Sequence, residues 1–244
     1  MTSGPDIAVV IGASGGLGGA LAAALGADPR VGHVVGLSRR RPADWRDGAR
    51  RTWLKADVLN EGSLAAAAER IAELGAPTRI VVATGVLHAP GIAPEKSLRA
   101  VDAATLMRLF EVNAVGPLLA ARHLLPLMPR DGPSVFAALS ARVGSLGDNH
   151  LGGWYGYRAS KAALNMFLRT AAIEHQRSHP FAVCVALHPG TVATALSAPI
   201  LGADLGARAF APAVAAERLL RVMDGLTPAD TGGFFAWDGA RVPW

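Results

Sequence analysis

The sequence is poor in residues that carry covalent, redox-structural or membrane roles. A single cysteine, Cys184, excludes an internal disulfide framework. No apolar stretch approaches the roughly 18–20 uninterrupted residues of a membrane span. The longest candidate, Val115 to Met128, is interrupted by Pro117, Arg122 and Pro126 and carries His123, so it reads as a buried helix. No cleavable apolar leader follows Met1, which makes a reducing cytoplasm the expected compartment. Lysine is scarce too: arginine outnumbers it 21 to 3, and most arginines stand singly. The formal charge of +5 therefore does not outline a nucleic-acid groove. The one dense basic patch, Arg39 to Arg51, falls where a cofactor reading accounts for it.

What is present is the composition of a folded α/β protein, 51% apolar and only 18% charged, long enough for a substantial core. Short β-type runs at Ile7–Ile11, Val34–Leu37, Thr52–Ala56, Arg79–Ala83, Val135–Leu139, Val183–Leu187 and Gly233–Trp237 alternate with helical segments. The helices are expected at Leu17–Leu25, Ser63–Leu74 (capped by Asn60, with Glu61 in the first turn), Asp102–Met128, Tyr155–His175 and Pro212–Met223. Strand and helix in alternation, with strands apolar throughout, predict one domain over residues 1–244. Its architecture is a doubly wound parallel sheet of about seven strands, Rossmann-like, with helices on both faces.

The loop V-V-I-G-A-S-G-G-L-G, Val9 to Gly18, joins the first strand to the first helix. Glycines there permit a tight turn and close approach of backbone to a pyrophosphate, and the helix N-terminus favours the anion. Gly12, Gly16 and Gly18 form G-x-x-x-G-x-G, so Gly12, Ser14, Gly16, Leu17 and Gly18 are candidate cofactor contacts. The bland alternative is a ligand-free glycine turn. Gly12 to Gly16 also satisfies G-x-S-x-G, the nucleophile elbow of serine hydrolases, which would make Ser14 a nucleophile. Only eleven residues precede Gly12, too few for the strands that fold needs before its elbow.

Tyr157 and Lys161 are four residues apart on an expected helix, so phenol and ammonium share a face. A phenol ionises near 10 in water, and a fixed ammonium nearby favours its phenolate. Y-x-x-x-K arises often by chance, but this chain has two tyrosines and three lysines in all.

With these motifs the sequence resembles the short-chain dehydrogenase/reductase family over essentially its whole length. The stretch S-A-R-V-G-S-L-G-D-N-H-L-G-G-W-Y-G-Y-R-A-S-K-A-A-L-N is similar to the C-factor-type and sniffer-type carbonyl reductases. The resemblance implies Tyr157 as general acid/base, Lys161 on the nicotinamide ribose, and Asn113 supporting a proton-relay water. It also implies Asp57 and Val58 beside adenine, Gly85 closing the fourth strand, and Pro189, Gly190, Val192 and Thr194 around carboxamide and phosphates. Ala195–Phe210 corresponds to the variable substrate loop, and the two long helices to a homodimer or homotetramer interface.

The pattern departs at Ile11, where the family has threonine, and at Val82-Ala83-Thr84-Gly85, which lacks the family's asparagines. It departs again at Ala141, which stands where the family's catalytic serine belongs. Ser140, one residue earlier, is the expected substitute, with Ser145 the alternative. The place where NAD users carry an acid after the second strand is Ser38, followed by Arg39. A hydroxyl and a guanidinium suit a 2′-phosphate, so the expected cofactor is NADP(H), NAD(H) fitting less well. The expected reaction is hydride transfer between nicotinamide and a small carbonyl or secondary alcohol, with no metal, nucleic acid or membrane involved. The rivals are a nucleotide-binding regulatory protein of the same fold and a serine hydrolase acting through Ser14.

Overall fold

A computed structural model of the chain describes residues 6–201 and 209–244. Seven strands form one sheet in the order β3-β2-β1-β4-β5-β6-β7, every neighbouring pair parallel. The strands are β1 (Asp6–Ile11), β2 (Val31–Ser38), β3 (Arg51–Lys55), β4 (Pro77–Val82), β5 (Ser134–Leu139), β6 (Ala182–His188) and β7 (Phe234–Ala236). Helices α1 (Gly16–Ala27), α2 (Glu61–Leu74), α3 (Ala103–Phe110), α4 (Gly116–Leu124), α5 (Tyr155–Gln176) and α6 (Pro212–Gly225) flank it. One apolar layer joins α2, α4 and α5 to the sheet through residues such as Ile71, Leu124 and Leu164. The other joins α1 and α6 through Leu21, Leu25 and Leu219. Central strands are buried on both sides, which is why they read as unbroken apolar runs rather than alternating ones.

Local signals set several helix ends. The Asn60 side chain accepts from the Ser63 amide at 2.9 Å, and Asp102 does the same for Thr105 at 2.8 Å. The expected continuous helix Asp102–Met128 is corrected: α3 gives way to a π-helical turn, Glu111–Val115, then α4, then a 3₁₀ turn, Leu125–Leu127. Two prolines account for the breaks. Pro117 has no N–H to return to the carbonyl of Asn113, and Pro126 stands in the 3₁₀ turn.

Strand order reverses between β1 and β4, so the connections leaving their carboxyl ends run to opposite faces and open a crevice. The glycine loop, the ends of β4, β5 and β6, and the start of α5 meet around that crevice.

Candidate active site

The crevice is a cavity of about 520 Å³. One wall is the β1–α1 loop. Gly12 sits at φ +90, and its amide and that of Ala13 both donate to the Leu37 carbonyl, at 2.8 and 3.0 Å. A Cβ at Gly18 would lie 2.1 Å from the Gly12 carbonyl oxygen, so this turn closes only with glycine there. A Cβ at Gly16 would lie 3.0 Å from the Thr194 side chain, leaving bare backbone toward the cavity where α1 begins. Backbone cradle and helix N-terminus together fit a pyrophosphate.

Opposite stand Tyr157 and Lys161, one helical turn apart on α5 and both buried. The Lys161 ammonium lies 5.8 Å from the Tyr157 ring centre and donates to the Leu139 carbonyl at 2.8 Å, tying α5 to the end of β5. Burial pushes the phenol up to about 12 and the ammonium down to about 8. Gly85, beside Lys161, closes the β4 side, and Leu17, Pro189, Gly190, Val192 and Thr194 complete the wall toward β6.

Helix α5 is held at its start by a residue that the sequence did not single out. Glu95 is buried, its carboxylate accepts from the Gly156 amide at 3.2 Å, and its carbonyl accepts from the Trp154 amide at 2.6 Å. A carboxylate at a helix N-terminus is favoured by the helix dipole and satisfies an amide that no turn of the helix can. Its 61-residue separation from Gly156 hides it from any local motif. Trp154, at φ +52, ends that turn and meets Tyr157 edge-to-face at 6.3 Å.

Asn113 lies outside the cavity wall, fully buried in the π-helical turn. Its amide accepts from the Val86 N–H at 2.7 Å, donates to the Val86 carbonyl at 2.8 Å and donates to Ser160 at 3.1 Å. It thereby locks the β4 exit to α5. Asp57 and Val58 lie beyond β3. The Asp57 carboxylate accepts from the Leu59 amide at 3.0 Å, and Val58 packs where a Cβ on Gly116 would collide at 2.7 Å.

At the end of β2 the two candidates differ. Ser38 is buried, donating to the Arg40 carbonyl at 2.7 Å and accepting from the Trp53 indole at 2.9 Å. Arg39 is exposed and forms no ion pair or hydrogen bond with a described residue, whereas Arg41 is paired with Asp47 at 2.6 Å.

Ser140 lines the cavity at the end of β5, and its Oγ donates to Asn165 Oδ1 at 2.6 Å, both groups buried. The Ser145 hydroxyl accepts from the Asp148 amide at 3.1 Å. Ser14 is exposed and bonded by no described histidine, so the arrangement of a serine nucleophile with its base is missing. The substrate-loop expectation, Ala195–Phe210, falls in part outside the described residues.

The sequence profile described as short chain dehydrogenase matches residues 6–203. The chain belongs to the short-chain dehydrogenase family. It is 41% identical over 145 residues to the C-signal of Myxococcus xanthus, an alignment spanning 59% of this chain and 81% of that protein. The carbonyl reductase Sniffer of Drosophila melanogaster superposes with a TM-score of 0.85 over 99% of this chain and 100% of its own, at 22% identity. The NADPH-bound carbonyl reductase from chicken fatty liver gives 0.84 over 98% and 99%, at 23% identity. The family makes the chain an oxidoreductase, and the fold is that of the carbonyl reductases.

Proposed function

We propose that this oxidoreductase uses NADP(H) to interconvert a small carbonyl compound and its secondary alcohol, with Tyr157 carrying the proton. The observation behind this reading is that Tyr157 and Lys161 line the same cavity as the glycine cradle. The dinucleotide would lie along Gly12, Ser14, Gly16, Leu17 and Gly18, with Asp57 and Val58 toward adenine, Gly85 beside the ribose, and Pro189, Gly190, Val192 and Thr194 around the nicotinamide. When bound it supplies or accepts the hydride. Tyr157 gives its hydroxyl proton to the carbonyl oxygen in reduction and recovers it in oxidation. Since burial alone holds the phenol protonated, the reductive direction starts from the form Tyr157 already has at neutral pH. The Lys161 ammonium, fixed on the Leu139 carbonyl, lowers the cost of the phenolate left behind. Asn113 keeps β4 and α5 in register beneath the pair.

NADP(H) is favoured over NAD(H) by the absence of a carboxylate at position 38 and by Arg39, which is exposed and bonded to no described residue. The NADPH in the chicken reductase agrees with it. Met107 on α3 and Met166 on α5, 64% and 63% exposed, suit a homo-oligomer built on those helices. No helix among the described residues is long and apolar enough to cross a membrane, and a cytoplasmic, membrane-free enzyme is the matching proposal.

The likeness to the C-signal and the alanine at position 141 favour one second reading, a nucleotide-binding signalling protein without turnover. A panel of carbonyl compounds with NADPH and NADH, followed at the nicotinamide absorbance, separates the two. Tyr157→Phe is expected to lower kcat by about 10²–10⁴-fold with NADPH affinity retained, and Lys161→Ala to damage both. Tyr155→Phe, at the exposed start of α5, stays mild. Near-normal kcat in Tyr157→Phe removes the mechanism.

A further inference from the structure

Reduction of a carbonyl places growing negative charge on its oxygen, and a preorganised second donor beside the proton carrier lowers that barrier substantially. The hydroxyls at the end of β5 do not provide it. Ser140 is bound to Asn165, Ser145 to the Asp148 amide, and Ala141 has none. Arg142 lies at the rim, its guanidinium paired with Asp148 and its side chain 58% exposed.

The neighbouring strand offers another group. Strands β5 and β6 run in register to their carboxyl ends, Leu139 opposite Leu187, and the Ser140 amide donates to the Leu187 carbonyl at 2.8 Å. The next residue on β6, His188, therefore stands level with Ser140, one step from Ala141, and lines the cavity that holds Tyr157. Pro189 follows it and keeps its backbone extended. The ring's Nδ1 is buried and has no partner among the described residues. Burial, reinforced by the nearby Arg142 guanidinium and only partly opposed by Asp238, pushes the imidazole down to about 4. It is neutral at pH 7, the form in which an imidazole N–H polarises a carbonyl without surrendering its proton.

We propose that His188 donates from Nε2–H to the substrate oxygen beside the Tyr157 hydroxyl, in the role that a hydroxyl at position 141 would fill. This rests on the reductase reading above. The hydride reaches the carbonyl carbon, the C=O π pair moves to oxygen, and Tyr157 delivers the proton, while His188 keeps its own and only stabilises the charge.

The test uses the full-length protein, NADPH and an activated diketone, 1-phenyl-1,2-propanedione. His188→Leu is expected to lower kcat about 10²-fold or more with NADPH affinity within twofold, and His188→Gln, which keeps an N–H, to lose less. Ala141→Ser added to His188→Leu is expected to restore at least tenfold, a rescue that a packing role would not allow. A His188→Leu enzyme within threefold of the unmodified kcat overturns the assignment. So does a loss that Ala141→Ser leaves unrepaired, which makes the histidine a packing residue. If the unmodified protein binds NADPH yet reduces no carbonyl in the panel, the reductase reading fails at that step and the His188 assignment falls with it. That failure is visible before any variant is compared.

Discussion

Ser140 and Asn165 form a buried hydrogen bond of 2.6 Å between the end of β5 and the middle of α5, one turn beyond Lys161. The bond makes Ser140 a strut of the site. Ser140→Ala strands the Asn165 carbonyl oxygen beside an amide nitrogen that already has no partner. A loss of about 1–3 kcal/mol in stability is expected, with kcat within roughly threefold of normal, far short of the ~10²-fold that follows loss of an oxyanion donor. Urea melts and steady-state turnover on the same preparation check both halves. A large kcat loss at unchanged stability would return Ser140 to the chemistry.

If the cofactor is NADP(H) as proposed, its 2′-phosphate is expected to rest on Arg39 more than on Ser38, whose hydroxyl is bonded to Arg40 and Trp53. NADPH is expected to bind at least ~10-fold tighter than NADH, about 1.4 kcal/mol. Arg39→Ala alone should remove most of that gap, and Ser38→Asp with Arg39→Ala should close or invert it. Isothermal titration with both nucleotides reads it directly, and equal affinities in the unmodified protein contradict the assignment.

Glu95 holds the start of α5, the helix that carries Tyr157, without itself lining the cavity. Glu95→Ala unties the Gly156 amide and is expected to cost about 1–3 kcal/mol of stability. Glu95→Gln, which still accepts a hydrogen bond, should cost less. Because Tyr157 is the next residue, Glu95→Ala should also lower kcat more than it raises the NADPH dissociation constant. Thermal melts showing no change in either variant would mean that the helix start is held by other contacts.

Acid should destabilise the fold before its carboxylates are protonated. Burial pushes His188 down to about 4 and, with the stacked His179 ring 3.9 Å away, does the same to His175. The unfolded chain takes up these protons from about pH 6.5 downward, whereas the folded chain refuses them until about pH 4. Stability is therefore highest above pH 6.5 from these groups and falls between 6.5 and 4. Chemical denaturation at pH 7, 6, 5 and 4.5 should show the decline, and His175→Gln should flatten it. An unchanged slope in that variant would place its origin elsewhere.

Much of the site was legible because its signals are local. Gly12, Gly16 and Gly18 are dictated by one loop, Tyr157 and Lys161 by one helical turn, and the cap at Asn60 by a contact three residues long. Seven apolar runs alternating with helices determined the parallel sheet, since only two-sided burial makes such strands uniformly apolar. The missing acid at Ser38 was likewise visible in the sequence alone. The tertiary structure decided what those signals could not reach. It chose Asn165 as the partner of Ser140, 25 residues away, Val86 for Asn113 at 27, and Glu95 for Gly156 at 61. It also replaced an expected single helix with a π-helical turn at Asn113. A hydroxyl, amide or carboxylate has several possible partners of equal chemistry, and side-chain type does not rank them. Only packing of distant strands and helices determines which one lies within 3 Å, and so which polar group is left facing the cavity.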